Sequence, residues 1–216
     1  MLVASDVSLI FDTKKLFENV NVKFIPENCY GVIGANGAGK STFLKIISGK
    51  QDANSGSVHL ETGKRLSVLE QNHNAFDEYP VLETVLRGNK ELFAVKSEMD
   101  TIYAKEDFSD ADGERVGELQ IVFEEMNGWN ADSEAAALLS NLDIPENLHY
   151  MSMKDLDGKQ KVRVLLAQSL FGSPDVLIMD EPTNDLDYET IQWLEQFLAN
   201  YDNTSMFDTM EEHIEI

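Results

Sequence analysis

An α/β fold on a mixed sheet is predicted by three observations. Short apolar runs alternate with helical periodicity in the first and last thirds of the chain. A glycine-rich segment stands between an apolar strand and a helix. A long block of purely helical periodicity interrupts this strand-rich frame. In chain order, residues 3–11 read as a strand, 12–15 as a polar turn, and 19–24 as an alternating strand with Val20, Val22 and Phe24 on one face. Residues 29–33 form a short apolar strand, and 41–48 a helix closed by Gly49. Residues 56–60 and 65–71 read as further strands. The N-terminal strands look antiparallel, so they are expected to form an antiparallel β subdomain.

From about residue 81 to 150 the pattern changes. Leu82, Val85 and Leu86, then Met99, Ile102 and Tyr103, then Val116, Leu119, Val122, Phe123 and Met126 recur at helical spacing. Asp132 or Ser133 is placed to cap a helix over 134–142. A helix near 159–171, a strand at 176–179 and a helix at 188–200 then restore the alternation of a largely parallel core. The expected organisation is a core of residues 1–87 and 150–204, a helical insertion at 88–149 and a divergent acidic tail at 205–216. Trp129 and Trp193 sit near helical segments and read as packing residues.

Composition narrows the function classes. The 216 residues carry 17 Lys+Arg against 39 Asp+Glu, a formal net charge of −22. Binding to a phosphate backbone needs a basic footprint that displaces counterions, so direct nucleic-acid binding by this chain is not expected. The single cysteine, Cys29, excludes an internal disulfide and a multi-cysteine metal site, and fits a reducing, cytoplasmic setting. No apolar run reaches the roughly 18 residues of a membrane helix, and the N-terminus shows no signal pattern. After Arg163 there is no Lys or Arg, while twelve acidic residues follow between Asp175 and Glu215.

Two motifs carry chemistry. Gly34-Ala35-Asn36-Gly37-Ala38-Gly39-Lys40-Ser41 fits G-x-x-x-x-G-K-[ST] in the strand-to-helix context that this phosphate loop requires. Its glycines let backbone amides turn towards phosphate oxygens, and the following helix, entered through Thr42, adds its positive end. Lys40 supplies a charge for the β- and γ-phosphates of ATP, and Ser41 a hydroxyl ligand for Mg²⁺. The second motif is Val176-Leu177-Ile178-Met179-Asp180-Glu181, an apolar strand delivering two carboxylates at its C-terminal end. Asp180 is the candidate Mg²⁺ ligand, and Glu181 the candidate group that polarises the attacking water.

With Glu181-Pro182-Thr183-Asn184-Asp185-Leu186-Asp187 following that strand, the chain resembles the ABC ATPases, and the E-P-T-N-x-L-D form resembles their soluble ABC-F branch more than transporters. Residues 161–171 are similar to the helix after the ABC signature in that branch. The resemblance runs over residues 1 to about 204 and covers four motifs in the family's order. It implies an ABC-type P-loop NTPase core, corresponding to the first nucleotide-binding domain of an ABC-F protein cut short before its second half. It implies that Phe11 stacks on adenine, that Gln71 reaches Mg²⁺ and the attacking water, and that Asp187 works across a dimer interface. The stretch near 88–149 corresponds to the helical subdomain with the arm insertion, which in that family touches the ribosome.

Two departures stand out. The signature L-S-G-G-Q is here Leu156-Asp157-Gly158-Lys159-Gln160, which sets a carboxylate where the family presents a hydroxyl to the γ-phosphate of a second domain. The family's switch histidine falls, by spacing, on Met210; the nearby His213 follows two glutamates and lacks the expected apolar strand before it. The resemblance thus implies partnership with ATP and with a second ABC domain, intramolecular or in a homodimer, with the ribosome reached only through the full-length context and no membrane contact. Turnover by the isolated chain is expected to be negligible. A transporter nucleotide-binding subunit and a catalytically incomplete nucleotide-binding module are the alternative readings.

Overall fold

Period-two patterning at the start of the chain builds an antiparallel sheet. In the computed structural model, which describes residues 1–11, 14–183, 186–201 and 203–209, β1 (Leu2–Phe11) pairs with β2 (Lys14–Phe24) on one side. On its other side it pairs with β4 (Ser55–Leu60). Leu2, Ala4, Val7 and Leu9 are buried, and the change of parity after Ala4 coincides with a bulge in which Asp6 takes φ +50°.

The second sheet is parallel. β3 (Cys29–Ile33), β7 (Thr204–Thr209), β6 (Val176–Asp180) and β5 (Leu66–Val68) lie in the order β3-β7-β6-β5. α1 (Lys40–Ile47) is held by both sheets: Leu44, Ile46 and Ile47 share one core with Leu2, Leu9 and Phe24 of the first sheet and Val176, Ile178 and Met206 of the second. Asp175 fixes the entry to β6, accepting from Lys64 Nζ and the Arg65 amide at 2.8 Å each. α7 (Tyr188–Ala199) follows, with Leu194 and Leu198 buried. These elements form one compact unit, Met1–Asn72 with Ser173–Ile216.

The other unit, His73–Gly172, is helical. α2 (Val81–Leu86) packs against α5 (Ala131–Asn141) and α6 (Gly158–Leu170), and α3 (Lys90–Tyr103) against α4 (Asp110–Glu125). α6 is buried over most of its surface, which matches its nearly continuous apolar run from Val162 to Leu170. No helix of the described residues is long and apolar enough to cross a membrane.

The structure redraws three boundaries. Residues 205–209, expected to lie in a divergent tail, belong to strand β7, between β3 and β6. The strand was hidden because its polar residues are buried with partners: Ser205 Oγ donates to Cys29 Sγ at 3.0 Å and Thr204 Oγ1 to the Ile25 carbonyl at 3.0 Å. The helical unit begins at His73, not residue 88, and runs to Gly172, because α2 and α6 pack inside it. α5 starts at Ala131, so Asp132 lies in its first turn and does not cap it.

The α3–α4 hairpin carries an acid-sensitive joint. Ser109 and Asp112 form a reciprocal capping box, and Lys105 Nζ donates to Asp112 Oδ1 at 2.5 Å. The Lys105 hydrogen bond first, then the Ser109 hydroxyl and amide, lower the Asp112 carboxyl from 3.8 to about 2. A carboxyl lowered by folding stabilises above its unfolded value and loses that contribution as pH falls through its folded value. In acid titrations followed by far-ultraviolet circular dichroism, Asp112→Asn should therefore flatten the loss of helical signal between pH 3.8 and about 2. Superimposable profiles for variant and parent would contradict this.

Candidate functional site

The site begins at the N-terminus of α1. Gly39 is its N-cap, at φ +99°, no side chain caps it, and no acidic residue stands in its first turn. Each of α2 to α7 has a side-chain cap, an acid in the first turn, or both: for example Glu83 in α2, Asp157 at α6 and Asp187 at α7. In a chain of net charge −22, this one helix end is kept clear of negative side chains. Its N-terminal amides and positive dipole suit an anion, and phosphate fits that description.

The loop before α1 is shaped by its glycines. Gly37 and Gly39 take φ +75° and +99°, where an L side chain is strained. A Cβ at Gly39 would meet Leu16 and Phe17 at 3.5 Å, an ordinary contact, so the backbone conformation is what demands glycine there. The Ala38 amide closes a turn onto the Ala35 carbonyl at 3.0 Å. Gly34 accepts from Lys40 Nζ at 2.9 Å, which folds a largely buried ammonium back under the loop. Asn36 is exposed at the loop's tip, and Ser41 and Thr42 open the helix half-buried.

β6 brings the acidic half. Residues 176–179 are buried to 1% exposure or less, and Asp180 emerges at the C-terminal end of the strand. Gln71 lies beyond β5, which ends at Val68, and is not part of a strand reaching residue 71. Its Nε2 donates to Asp180 Oδ2 at 2.9 Å and reaches the Asp180 carbonyl at 3.4 Å. Neither bond uses Gln71 Oε1. Asp180 Oδ1 is the one buried side-chain polar atom among the described residues that accepts no hydrogen bond. A buried carboxylate oxygen left in that state is costly, and a cation or its bound water relieves the cost. Glu181 follows at φ +51°, a strained conformation that sharply redirects the chain off the strand.

Ser41, Gln71 and Asp180 line one cleft of about 470 Å³ together with Lys45, Lys50 and Glu70. Among the described residues no three His, Cys, Asp or Glu side chains could hold a metal. The donor set, one carboxylate, one hydroxyl and one amide carbonyl, fits Mg²⁺ brought with phosphates, because that ion completes its shell from phosphate oxygens and water. Lys45 and Lys50 were not picked out by motif. Lys45 follows Ser41 by one helical turn, a spacing that places both on the same face.

Leu156–Gln160 belongs to the helical unit. Leu156 is buried, while Asp157 N-caps α6 in a capping box: Gln160 N donates to Asp157 Oδ1 at 2.9 Å and Asp157 N to Gln160 Oε1 at 3.1 Å. Lys159 is exposed, and a Cβ at Gly158 would meet nothing within 4 Å. Asp187 caps α7 through the Thr190 amide and hydroxyl. The Phe11 side chain, Asn184, Asp185, Met210 and His213 lie outside the described residues.

Comparison with known proteins shows the family. The family profile described as ABC transporter matches residues 17–184. The chain is 56% identical over 213 residues to the "Uncharacterized ABC transporter ATP-binding protein YkpA" of Bacillus subtilis, covering 99% of this chain and 39% of that protein. It is 34% identical over 196 residues to the "Energy-dependent translational throttle protein EttA" of Mycobacterium tuberculosis, covering 87% of this chain and 34% of that one. The chain thus spans about two fifths of the length of the curated relatives it matches. Among solved structures, the dimeric, post-hydrolysis ATP-binding cassette MJ0796 bound to ADP and Pi superimposes with a TM-score of 0.66 at 20% identity, covering 99% of this chain and 90% of that one.

The capping box gives Asp157 a structural role that can be separated from any contact with a ligand. Asp157→Ala should cost about 1 kcal/mol of stability and Asp157→Ser much less, since serine also caps. Denaturant unfolding of the two variants measures this, and equal losses would contradict it.

Proposed function

This chain belongs to the ABC transporter family as an ATP-binding cassette domain, and on that premise we propose that it binds Mg-ATP at α1 and β6 and hydrolyses it only against a second cassette. The observation that carries the proposal is the α1 N-terminus, without a side-chain cap and free of acids in a strongly acidic chain, whose Ser41 lines the same cleft as Asp180. Phosphates would settle on the loop amides of residues 34–42 with Lys40 as their charge partner. Ser41, Asp180 and Gln71 would hold Mg²⁺, which supplies neutralisation of phosphate charge when bound. Glu181 is proposed to polarise the attacking water and accept its proton, and Phe11 to stack on the adenine.

Residues 156–160 and Asp187 are proposed to face the nucleotide of the second cassette. Gly158 has no positive φ and open space around it, so the local fold does not require glycine there, which supports a close backbone approach from outside. Asp157 weakens that approach. A carboxylate about 4 Å from a phosphate charge repels it by about 4 kcal/mol at an effective dielectric of about 20. The chain is therefore expected to be a poor partner in trans.

We assign the domain to the translation-associated ABC-F branch. The E-P-T-N-x-L-D string, the long helical unit and the 34% identity to EttA support that assignment. The second reading, a transporter subunit in contact with a membrane partner, is favoured by the name of YkpA, an ABC transporter ATP-binding protein. Sedimentation separates them: a full-length parent protein should follow ribosomes under the first reading and the membrane fraction under the second.

Three measurements test the site. ATP with Mg²⁺ at about a hundred times Kd should stabilise the chain by about 2.7 kcal/mol, and Lys40→Ala should abolish this. An unchanged melting shift in that variant refutes the site. Steady-state turnover of the isolated chain should stay at background, and vigorous hydrolysis abolished by Glu181→Gln would contradict the need for a second cassette. Asp157→Ser combined with Lys159→Gly should promote nucleotide-driven dimerisation, and no gain would remove the repulsion argument.

A further inference from the structure

We propose that Lys161 is a positioning residue for Gln71, tying the chain that leaves the nucleotide site to the helix that begins at residues 157–160. The proposal rests on the Mg-ATP reading of that site. Lys161 lies in the first turn of α6, directly after Gln160, and is only 8% exposed. Its Nζ donates to Asn74 Oδ1 at 2.8 Å and to Asp77 Oδ1 at 2.5 Å. Asn74 and Asp77 stand three and six residues after Gln71.

A backbone zipper secures the later part of this leg. Lys154 N donates to the Asp77 carbonyl at 3.3 Å, Met153 N to Tyr79 O at 2.9 Å, Val81 N to Met151 O at 2.9 Å and Leu82 N to His149 O at 2.8 Å. The Ser152 hydroxyl adds a bond to the Asp77 carbonyl at 2.9 Å. This zipper begins at Asp77. The bond from Lys161 to Asn74 carries the tie three residues nearer to Gln71, and it comes from the helix whose first turn is the proposed trans contact.

Stability alone gives little reason for a lysine here. Taking an ammonium out of water is costly, and a paired charge of this kind can often be replaced by apolar residues of similar volume without loss. Its neighbours Val162, Val164 and Leu165 show that this helix accepts apolar side chains. What the pair adds is a fixed, directional link. The bond holds Asn74, the end of the three-residue connection that carries Gln71, whose amide donates to Asp180 at 2.9 Å.

A double-mutant cycle on Mg-ATP affinity, measured by calorimetry well below the melting temperature, tests this. The paired substitution Lys161→Met with Asp77→Leu removes both charges, leaves no buried ion unpaired and should keep the melting temperature. It should weaken Mg-ATP binding about fivefold in the parent chain, but less than about twofold once Gln71→Ala is present. Unchanged affinity in the paired variant, or equal effects with and without Gln71→Ala, overturns the proposal and leaves the pair a structural one. Absence of Mg-ATP binding by the parent chain, or full binding by Lys40→Ala, instead overturns the functional reading, and this inference with it.

Discussion

Everything at this site depends on keeping one helix end positive in an acidic chain. α1 is a short helix that buries Leu44, Ile46 and Ile47 between two sheets, so its axis is set from both sides. Its N-terminal amides have no side-chain cap and no acid in the first turn, while α2 to α7 each carry one or the other. A free helix would gain from an aspartate or serine there. Here that gain is forgone, and left-handed glycines bring the chain into the helix instead. The electrostatic deficit at α1 and the carboxylate oxygen of Asp180 that accepts no hydrogen bond are complementary features of one unit. An anion satisfies the first and a cation the second, and a magnesium nucleotide supplies both.

The acidity also takes on a more specific meaning. Part of it sits where folding uses it: Asp157, Asp187 and Asp112 serve helix N-termini, and Asp175 holds the entry to β6. The two halves of the chemistry come from distant parts of the chain, Gln71 before the helical unit and Asp180 after it, and the parallel pairing of β5 with β6 brings those ends side by side. The helical unit is inserted between them, so chain entering it from the site passes Asn74 and Asp77, the residues Lys161 holds.

Local chemistry was legible in the sequence, and non-local pairing was not. The 34–41 loop and the strand ending at Asp180 could be read because each is a contiguous string whose spacing carries the mechanism. β7 could not, because the segment from Ser205 onward lacks the apolar run of a buried strand. Only the Ile25 carbonyl and Cys29, far away in sequence, explain how the Thr204 and Ser205 hydroxyls are buried without penalty. Gln71 was found, but was placed at the end of a strand that stops at Val68. Asp157 was read as an electrostatic liability towards a ligand, and the structure adds the α6 capping box. Lys161 carried no signal, since its partners lie more than eighty residues upstream.

The central claim, that the α1 loop, Asp180 and Gln71 form one magnesium-nucleotide site, is tested most directly by the metal dependence of ATP affinity. Calorimetric titration of the chain with ATP, in Mg²⁺ and in excess chelator, should show binding at least about tenfold tighter with the metal, which is about 1.4 kcal/mol. Asp180→Ala should remove most of that difference while leaving metal-free binding in place. Equal affinity with and without Mg²⁺ in the parent chain, or a metal effect untouched by Asp180→Ala, would contradict the account.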